Sequence, residues 1–412
     1  MNASILSHQF DNGLILAAES MDWSESAAFT FLVPGGSVHD PDDRAGLGNF
    51  TCEMSLRGCG DRDSRQFMTD LDNLGVERAQ SVSDLHTAHI GAAAASSLPD
   101  VLGIYADLLL RPRMPADQLE LGRNVMLQEL AGVEDDLHYK LMIELRKQRH
   151  REPWGRPSQG DEAGVSATTL EDVKSHHEQL TRPNGSILAV AGRFDWETLK
   201  SQVERLFGDW KPGPETPVVE KGERGKYLHV SEDSEQTQVG IAYGAVPYSH
   251  ADYFPAWAAV SALSGGMSSR LFTEVREKKG LCYSVYATYY MLPTQASVLC
   301  YAGTERGQET LDVMLAELTR MKDGVDDSEL RRVKARCKSS LVMQEESTFS
   351  RSASIARDWQ HLGRARTLDE TQRLVDGLST DRVNDYLAAN PPADFTIVTL
   401  GPEPLEVPVG IS

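Results

Sequence analysis

Three side chains capable of metal binding or proton transfer stand close together near the start of the chain: Asn49, Cys52 and Glu53. They occupy positions i, i+3 and i+4 of a segment that we expect to be helical, so they share one helix face. A fourth candidate, Glu129, lies in a later predicted helix. Zinc prefers imidazole nitrogen and thiolate sulfur, whereas an asparagine oxygen is a poor neutral donor. Asn49, Glu53 and Glu129 therefore offer at most a weak, oxygen-rich site. Cys52, with an ordinary thiol pKa of about 8.5, cannot simply replace a carboxylate as a general base.

Two histidine pairs are weaker candidates for a metal site. His86 and His89 lie in an alternating segment that we expect to be a strand, where residues three apart point to opposite faces. His176 and His177 are adjacent on a predicted helix, so their side chains diverge. We expect all four to be ordinary surface histidines or histidines with hydrogen-bond partners.

The elements that position these residues fall into two halves. A charged stretch rich in proline and glycine lies at the middle of the chain and is typical of a linker between domains. We therefore predict an N-terminal domain over residues 1–210, a linker over 211–226 and a C-terminal domain over 227–412.

The two halves repeat each other at an offset of roughly 210 residues, which indicates an internal duplication. Three patterns recur: a helix pair, a capped helix start, and a buried strand that ends in glycine. They are marked by Asp117 and Asp327, by Thr169 and Ser379, and by Gly192 and Gly401. Further strands are expected over 29–33, 238–245, 284–290 and 297–302, and helices over 64–74, 253–263 and 349–362. These patterns predict an α+β fold of two homologous domains, each a mainly antiparallel sheet covered by helices.

The composition excludes several classes of function. A net charge of −20 over 412 residues argues against a nucleic-acid surface, which needs clustered Lys and Arg. The acidity indicates either plain solubility or an acidic chamber that attracts basic peptides. No positively charged segment precedes Arg44, and no apolar stretch is long enough to span a membrane, so we expect a cytoplasmic protein. A reducing compartment also fits the five cysteines, which include no Cys-x-x-Cys pair: Cys52, Cys59, Cys282, Cys300 and Cys337.

The segment around Asn49 resembles the zinc helix of the insulinase/pitrilysin (inverzincin) family of metallopeptidases. That helix carries H-x-x-E-H, and the pentad here reads Asn49-Phe50-Thr51-Cys52-Glu53 between a preserved Gly-Leu and a preserved Met-x-x-x-Gly. Glu129 matches the family's third zinc ligand, and Gly122 stands where members often place a second acidic residue. All three chemical positions of the pentad are changed, so the resemblance implies a degenerate zinc motif and no cofactor in this chain.

A second segment, residues 265–286, resembles the family signature in which an Arg and a Tyr seven residues apart reach the zinc site. Here these residues are Arg276 and Tyr283. The resemblance implies that both contact the substrate backbone at the scissile bond. A guanidinium and a phenol O–H are suitable donors for the negative charge that develops on an attacked carbonyl oxygen. The alternative is that Arg276 pairs with Glu274 or Glu277 and that Tyr283 is simply an aromatic residue of a strand.

Together the two resemblances predict a non-catalytic, substrate-binding subunit of a heterodimeric zinc peptidase. The homologous partner chain would supply H-x-x-E-H and zinc, and this chain would supply Arg276 and Tyr283 in trans. We expect the chain to be inactive alone. Its substrates would be unfolded peptides, bound by strand addition to a sheet edge.

Two other functions are compatible with the sequence. One is a catalytically inactive structural or binding protein, similar to the family's core subunits in the cytochrome bc1 complex. The other is an active homodimer with an unconventional metal, which would require the purified chain to hold one metal per subunit through Glu129.

Overall fold

A computed structural model of the chain describes residues 5–408. Residues 1–4 of the predicted N-terminal domain and residues 409–412 of the predicted C-terminal domain lie outside the described residues. The strands are β1 (Ile5–Gln9), β2 (Ile15–Ser20), β3 (Ser26–Pro34), β4 (Gly58–Cys59), β5 (Arg62–Asp63), β6 (Glu77–Val82), β7 (His86–Ala94), β8 (Ile187–Gly192), β9 (Tyr227–Ser231), β10 (Thr237–Ala245), β11 (Cys282–Met291), β12 (Ala296–Thr304) and β13 (Thr396–Gly401).

Helices alternate with these strands in both halves of the chain. A π-helix (Phe272–Lys278) and short 3₁₀ turns at Ser37–His39, Ala95–Ser97, Ala116–Gln118 and Met321–Asp323 complete the elements. The α-helices are α1 (Leu47–Ser55), α2 (Ser64–Asn73), α3 (Leu98–Leu110), α4 (Leu119–Asp135), α5 (Leu137–Arg149), α6 (Glu162–Ala167), α7 (Leu170–Leu180), α8 (Trp196–Phe207), α9 (Tyr253–Ser264), α10 (Gly307–Arg320), α11 (Asp327–Glu345), α12 (Thr348–Leu362), α13 (Leu368–Asp376) and α14 (Thr380–Ala389).

Each half of the chain builds one large sheet, and the two sheets share one topology. The first sheet has the order β1-β2-β8-β3-β7-β6 and the second has the order β11-β12-β10-β13-β9. Each sheet contains one parallel pair of strands, and its other neighbouring strands are antiparallel. The parallel pair is β2 with β8 in the first sheet and β13 with β9 in the second. If β1 is left out, the order of the first sheet from β2 to β6 corresponds to the order of the second sheet from β9 to β11. Each strand then has a counterpart at the same position in the other sheet. The α+β prediction is confirmed, and the matched topology is what an internal duplication produces.

The chain forms two compact units, and neither is continuous in sequence. The first contains residues up to 131, 156–219 and 342–368, and the second contains 132–155, 220–341 and the residues from 369 onward. The predicted linker, residues 211–226, contains no helix and no strand.

The discontinuity arises from two helices that cover the sheet of the other half. Helix α12, from the second half of the sequence, packs on β3 and β8, where Ile355 and Ala356 are buried against the sheet. Helix α5, from the first half, packs on β10 and β13 through Leu141 and Leu145. Each sheet therefore has one face closed by a helix that arrives from a distant part of the chain.

Candidate functional site

Helix α1, which carries the Asn49–Glu53 pentad, begins at a buried carboxylate. Asp40 accepts hydrogen bonds from the backbone N–H groups of Gly46 and Gly48, each at 2.8 Å. These bonds satisfy donors that the first turn of a helix leaves unpaired. Gly46, which precedes the helix, has φ +94°, a conformation that favours glycine. Burial raises the pKa of Asp40 to about 7, although these hydrogen bonds oppose the shift.

Helix α4 packs closely against α1. A Cβ atom on Gly122 would lie 2.9 Å from Met54 Sδ and 3.2 Å from Phe50 Cε2. The guanidinium of Arg123 lies over the Phe50 ring at 5.5 Å and donates to the Thr168 carbonyl at 2.9 Å. The glycine at position 122 therefore permits close packing of the two helices.

The pentad side chains are engaged with neighbours rather than converging on one point. Asn49 Nδ2 donates to Glu129 Oε2 at 3.2 Å, so the structure brings these two predicted positions together. Glu53 forms an ion pair with Arg57, which lies two residues beyond the end of α1. Cys52 is buried, and that burial, followed by the charges of Glu53 and Glu129, raises the pKa of its thiol to about 12.

These residues do not fit a zinc ion. Metal ligands must be deprotonated, yet Cys52 stays a thiol at neutral pH, and Asn49 presents a neutral amide. Glu53 is held by a guanidinium. In the part of the chain that the structure describes, no group of three or more His, Cys, Asp or Glu residues is arranged to hold a metal.

Cys52 instead lines a small cavity that the sequence did not predict. The cavity is also lined by His89, His176 and His177. Burial lowers the pKa of these three imidazoles to about 4, 3 and 4, respectively, so they are neutral at pH 7. Within residues 5–408, Nε2 of His176 has no hydrogen-bond partner. The expectation of a surface histidine or a fully hydrogen-bonded one is wrong for His176, because α7 packs against α1 and buries it. It is also wrong for His86 and His177, each of which has a buried ring nitrogen without a hydrogen-bond partner among the described residues.

In the second unit, the π-helix and the start of β11 bring Arg276 and Tyr283 together. The Arg276 guanidinium carbon lies 4.6 Å from the centre of the Tyr283 ring and 4.8 Å from that of Phe272. Val275, the residue before Arg276, is fully buried and anchors the helix. Both rings are therefore within cation–π distance of the guanidinium.

The turn between Arg276 and Tyr283 is fixed by polar contacts from the end of β12. The Thr304 hydroxyl donates to the Leu281 carbonyl at 2.7 Å. Arg306 Nη2 donates to the carbonyls of Lys279 and Gly280 at 2.7 and 3.0 Å. Gly280 has φ +57°, which favours a glycine. The distance between Arg276 and Tyr283 thus depends on a turn that is stabilised by hydrogen bonds from Thr304 and Arg306.

Arg276 is not engaged by the neighbouring acids. Glu274 pairs instead with Lys278 at 2.8 Å and with Arg320 at 3.7 Å. Among the described residues Arg276 forms no ion pair, and Tyr283 is 84% exposed. The guanidinium and phenol donors are therefore free to meet a ligand.

Comparison with known proteins adds two family matches. A family model described as insulinase (peptidase family M16) matches residues 16–158, which include the pentad and Glu129. A second family model, described as the peptidase M16 inactive domain, matches residues 167–337, which include Arg276 and Tyr283. Together the two matches cover most of the chain.

Curated relatives and solved structures span almost the same length. Uncharacterized zinc proteases of Bacillus subtilis and Mycobacterium bovis are 25% and 29% identical, over 95% and 90% of this chain and 97% and 87% of their own. A structure described as the peptidase M16 inactive domain from Pseudomonas fluorescens has a TM-score of 0.89 at 20% identity, covering 99% of this chain and all of that one. A chain of complex III2 from Candida albicans has a TM-score of 0.80 at 15% identity, over 97% and 96% of the two chains.

Among the described helices, none combines the length and apolar character needed to cross a bilayer.

Proposed function

Because the chain belongs to the insulinase family of peptidases (peptidase family M16), we propose that it is the non-catalytic, substrate-binding subunit of a two-chain zinc peptidase. In this proposal a homologous partner supplies H-x-x-E-H and zinc. This chain supplies Arg276 and Tyr283 to the partner's site. The observation that carries the proposal is a contrast between two segments. The side chains of the Asn49–Glu53 pentad are engaged with neighbouring residues, whereas Arg276 and Tyr283 present unpaired donors.

The state of the pentad supports the need for a partner. Asn49 and Glu129 are hydrogen-bonded to each other, and Cys52 is a buried thiol. Neither arrangement leaves a ligand set for zinc or a base to take a proton from water. A peptidase that contains this chain therefore requires the metal and the base of another polypeptide.

The state of the second segment supports a role in substrate binding. Attack on a peptide carbonyl places negative charge on its oxygen, and preorganised donors lower the energy of that state. Arg276 offers the several N–H donors of a guanidinium, and Tyr283 offers a phenol O–H donor. The two side chains touch each other, so both can reach one oxygen or two neighbouring groups of one backbone.

The proposed substrates are unfolded peptides that add a strand to an open sheet edge, a mode that reads backbone rather than sequence. Strand β11, which carries Tyr283, is an edge strand of its sheet. A cytoplasmic location is part of the same proposal, since the five cysteines are all free thiols and suit a reducing compartment.

The role of Tyr283 is tested by the substitution Tyr283→Phe in the purified pair. Loss of one such donor typically lowers the rate about 100- to 1000-fold. We expect kcat to fall in that range while the two chains still co-purify. Unchanged hydrolysis of an internally quenched peptide would contradict the proposed role.

A second candidate function is a catalytically inactive structural subunit. What favours it is the fold shared with a chain of complex III2, together with a pentad that does not fit zinc among the described residues. The two candidates differ in what the chain binds. A structural subunit would associate with other proteins without any peptidase activity appearing in the assembly.

A further inference from the structure

The Arg276 guanidinium lies close to two aromatic rings. Its central carbon is 4.6 Å from the centre of the Tyr283 ring and 4.8 Å from that of Phe272, four residues before Arg276 in the π-helix. A guanidinium directs its five N–H donors outward in its plane, and contact with two rings restricts its rotation.

Phe272 lies outside the hydrophobic core that the described residues of the second unit form. It is half-buried and is not among the residues that form the core of the second unit, whereas Val275 in the same helix is. Glu274 and Lys278 form an ion pair along the same helix, and the ring of Phe272 contacts Arg276. The position of the ring is therefore better explained by the guanidinium than by the core.

We propose that Phe272 is a positioning residue, which holds the Arg276 guanidinium against Tyr283 so that both donors meet the substrate together. The proposal rests on the function proposed above and adds a residue to that site. Phe272 itself touches no substrate. Its contribution is to reduce the number of orientations of a long, flexible side chain before the substrate arrives.

A first experiment observes the stack directly in the isolated full-length chain. Aromatic rings shift the NMR signals of groups above their faces, so the Arg276 side-chain resonances should lie upfield. We expect Phe272→Leu, which keeps an apolar side chain, to reduce this shift. Phe272→Tyr should preserve it. Arg276 resonances that are the same in Phe272→Leu and in the wild type would overturn the proposal, whatever the function of the chain.

A second experiment measures the consequence for catalysis in the assembled pair, using an internally quenched peptide that the wild-type pair cleaves. We expect Phe272→Leu to lower kcat about 3- to 10-fold, in the range of one cation–π contact, with little change in KM. Phe272→Tyr should restore most of the rate. In an Arg276→Gln background, Phe272→Leu should have no further effect, because its action passes through Arg276.

The two kinds of failure are distinguishable. If Arg276→Gln leaves hydrolysis unchanged, the proposed function fails, and the role of Phe272 in it fails too. If Arg276→Gln lowers kcat but Phe272→Leu lowers it equally in both backgrounds, only the positioning role is overturned. Thermal unfolding of each variant separates either outcome from a loss of folding.

Discussion

The side-chain amide of Asn49 donates a hydrogen bond to Glu129 across 3.2 Å, between two helices that the chain brings together from distant segments. In the insulinase family both positions are expected to face zinc. In this chain the side chains of Asn49 and Glu129 form a hydrogen bond with each other. This hydrogen bond joins α1 to α4 through the two side chains.

Restoring two imidazoles should restore a zinc site. In the double variant Asn49→His/Glu53→His, two His four residues apart on α1 would join Glu129 on α4, a three-ligand set that zinc favours. We expect this variant to retain one zinc per chain after gel filtration, measured by atomic emission. The same variant with Glu129→Ala should lose the metal. Stoichiometric zinc in the unaltered chain, released by Glu129→Ala, would instead support the homodimer with an unconventional metal.

Gly122 should tolerate no acidic side chain. A Cβ at this position would approach Met54 and Phe50 within 2.9 and 3.2 Å, and a carboxylate would enter a buried apolar contact. We expect Gly122→Glu to lower the free energy of unfolding by about 2–4 kcal/mol in urea titrations. A Cβ on Gly132, in the same helix, would meet no packed neighbour within 4 Å, so Gly132→Glu is the matched control. Equal effects at the two positions would contradict the close-packing explanation.

A buried ion pair should anchor α12 to the first sheet. Arg351 Nε donates to Glu19 at 2.8 Å, and both side chains are almost fully buried. Removing one partner leaves a buried charge, so we expect Glu19→Ala to destabilise the chain by about 3–5 kcal/mol. Glu25→Ala, which breaks an exposed pair with Arg193, should change stability by less than about 1 kcal/mol.

The double variant Glu19→Leu/Arg351→Met refines this prediction. It removes both charges and fills the space with apolar groups, so we expect it to be more stable than Glu19→Ala. A double variant as unstable as Glu19→Ala would show that the charges themselves, rather than the space they fill, hold the helix.

Stability should fall as the pH drops below 6.5, because several histidines are buried in the neutral form. The pKa of His89 is lowered by burial to about 4, so between pH 6.5 and 4 the unfolded chain binds a proton there that the folded chain does not. This residue should account for about 3 kcal/mol of the loss. We expect His89→Phe to flatten the dependence of unfolding free energy on pH in this range.

His250→Phe, at an exposed position, is the control for the loss of an imidazole. Asp40, whose pKa is raised to about 7, acts in the opposite sense, since it favours the folded state as the pH falls toward 4. The contribution of Asp40 to the pH dependence is common to the wild type, His89→Phe and His250→Phe, so it does not affect their comparison. A His89→Phe slope equal to that of the wild type would contradict the assignment.

Local patterns predicted most of the elements but not how distant segments combine. The buried run of β3 and the amphipathic α12 follow from hydrophobic periodicity, and the structure confirms both. The pairing of Arg351 with Glu19 joins residues from opposite ends of the chain, and no local pattern encodes it. The packing of α12 on the first sheet therefore could not be predicted.

The candidate site was predictable in its residue types and not in its contacts. The spacing of Asn49, Cys52 and Glu53 placed them on one helix, as observed. Their partners depend on how α4 and α7 pack against α1, which one sequence does not reveal. Phe272 and Arg276 lie four residues apart in a π-helix, and π-helices are too rare to predict from composition or periodicity.

The division of labour between two chains is tested most directly by purifying this chain from its own host under native conditions and measuring partner, metal and peptidase activity together. We predict co-purification with a homologous chain of similar size that carries H-x-x-E-H. One zinc should be present per pair, and hydrolysis of peptides should require both chains. A chain isolated alone or as a homodimer, with no such partner and no activity, would contradict the account and favour the structural role.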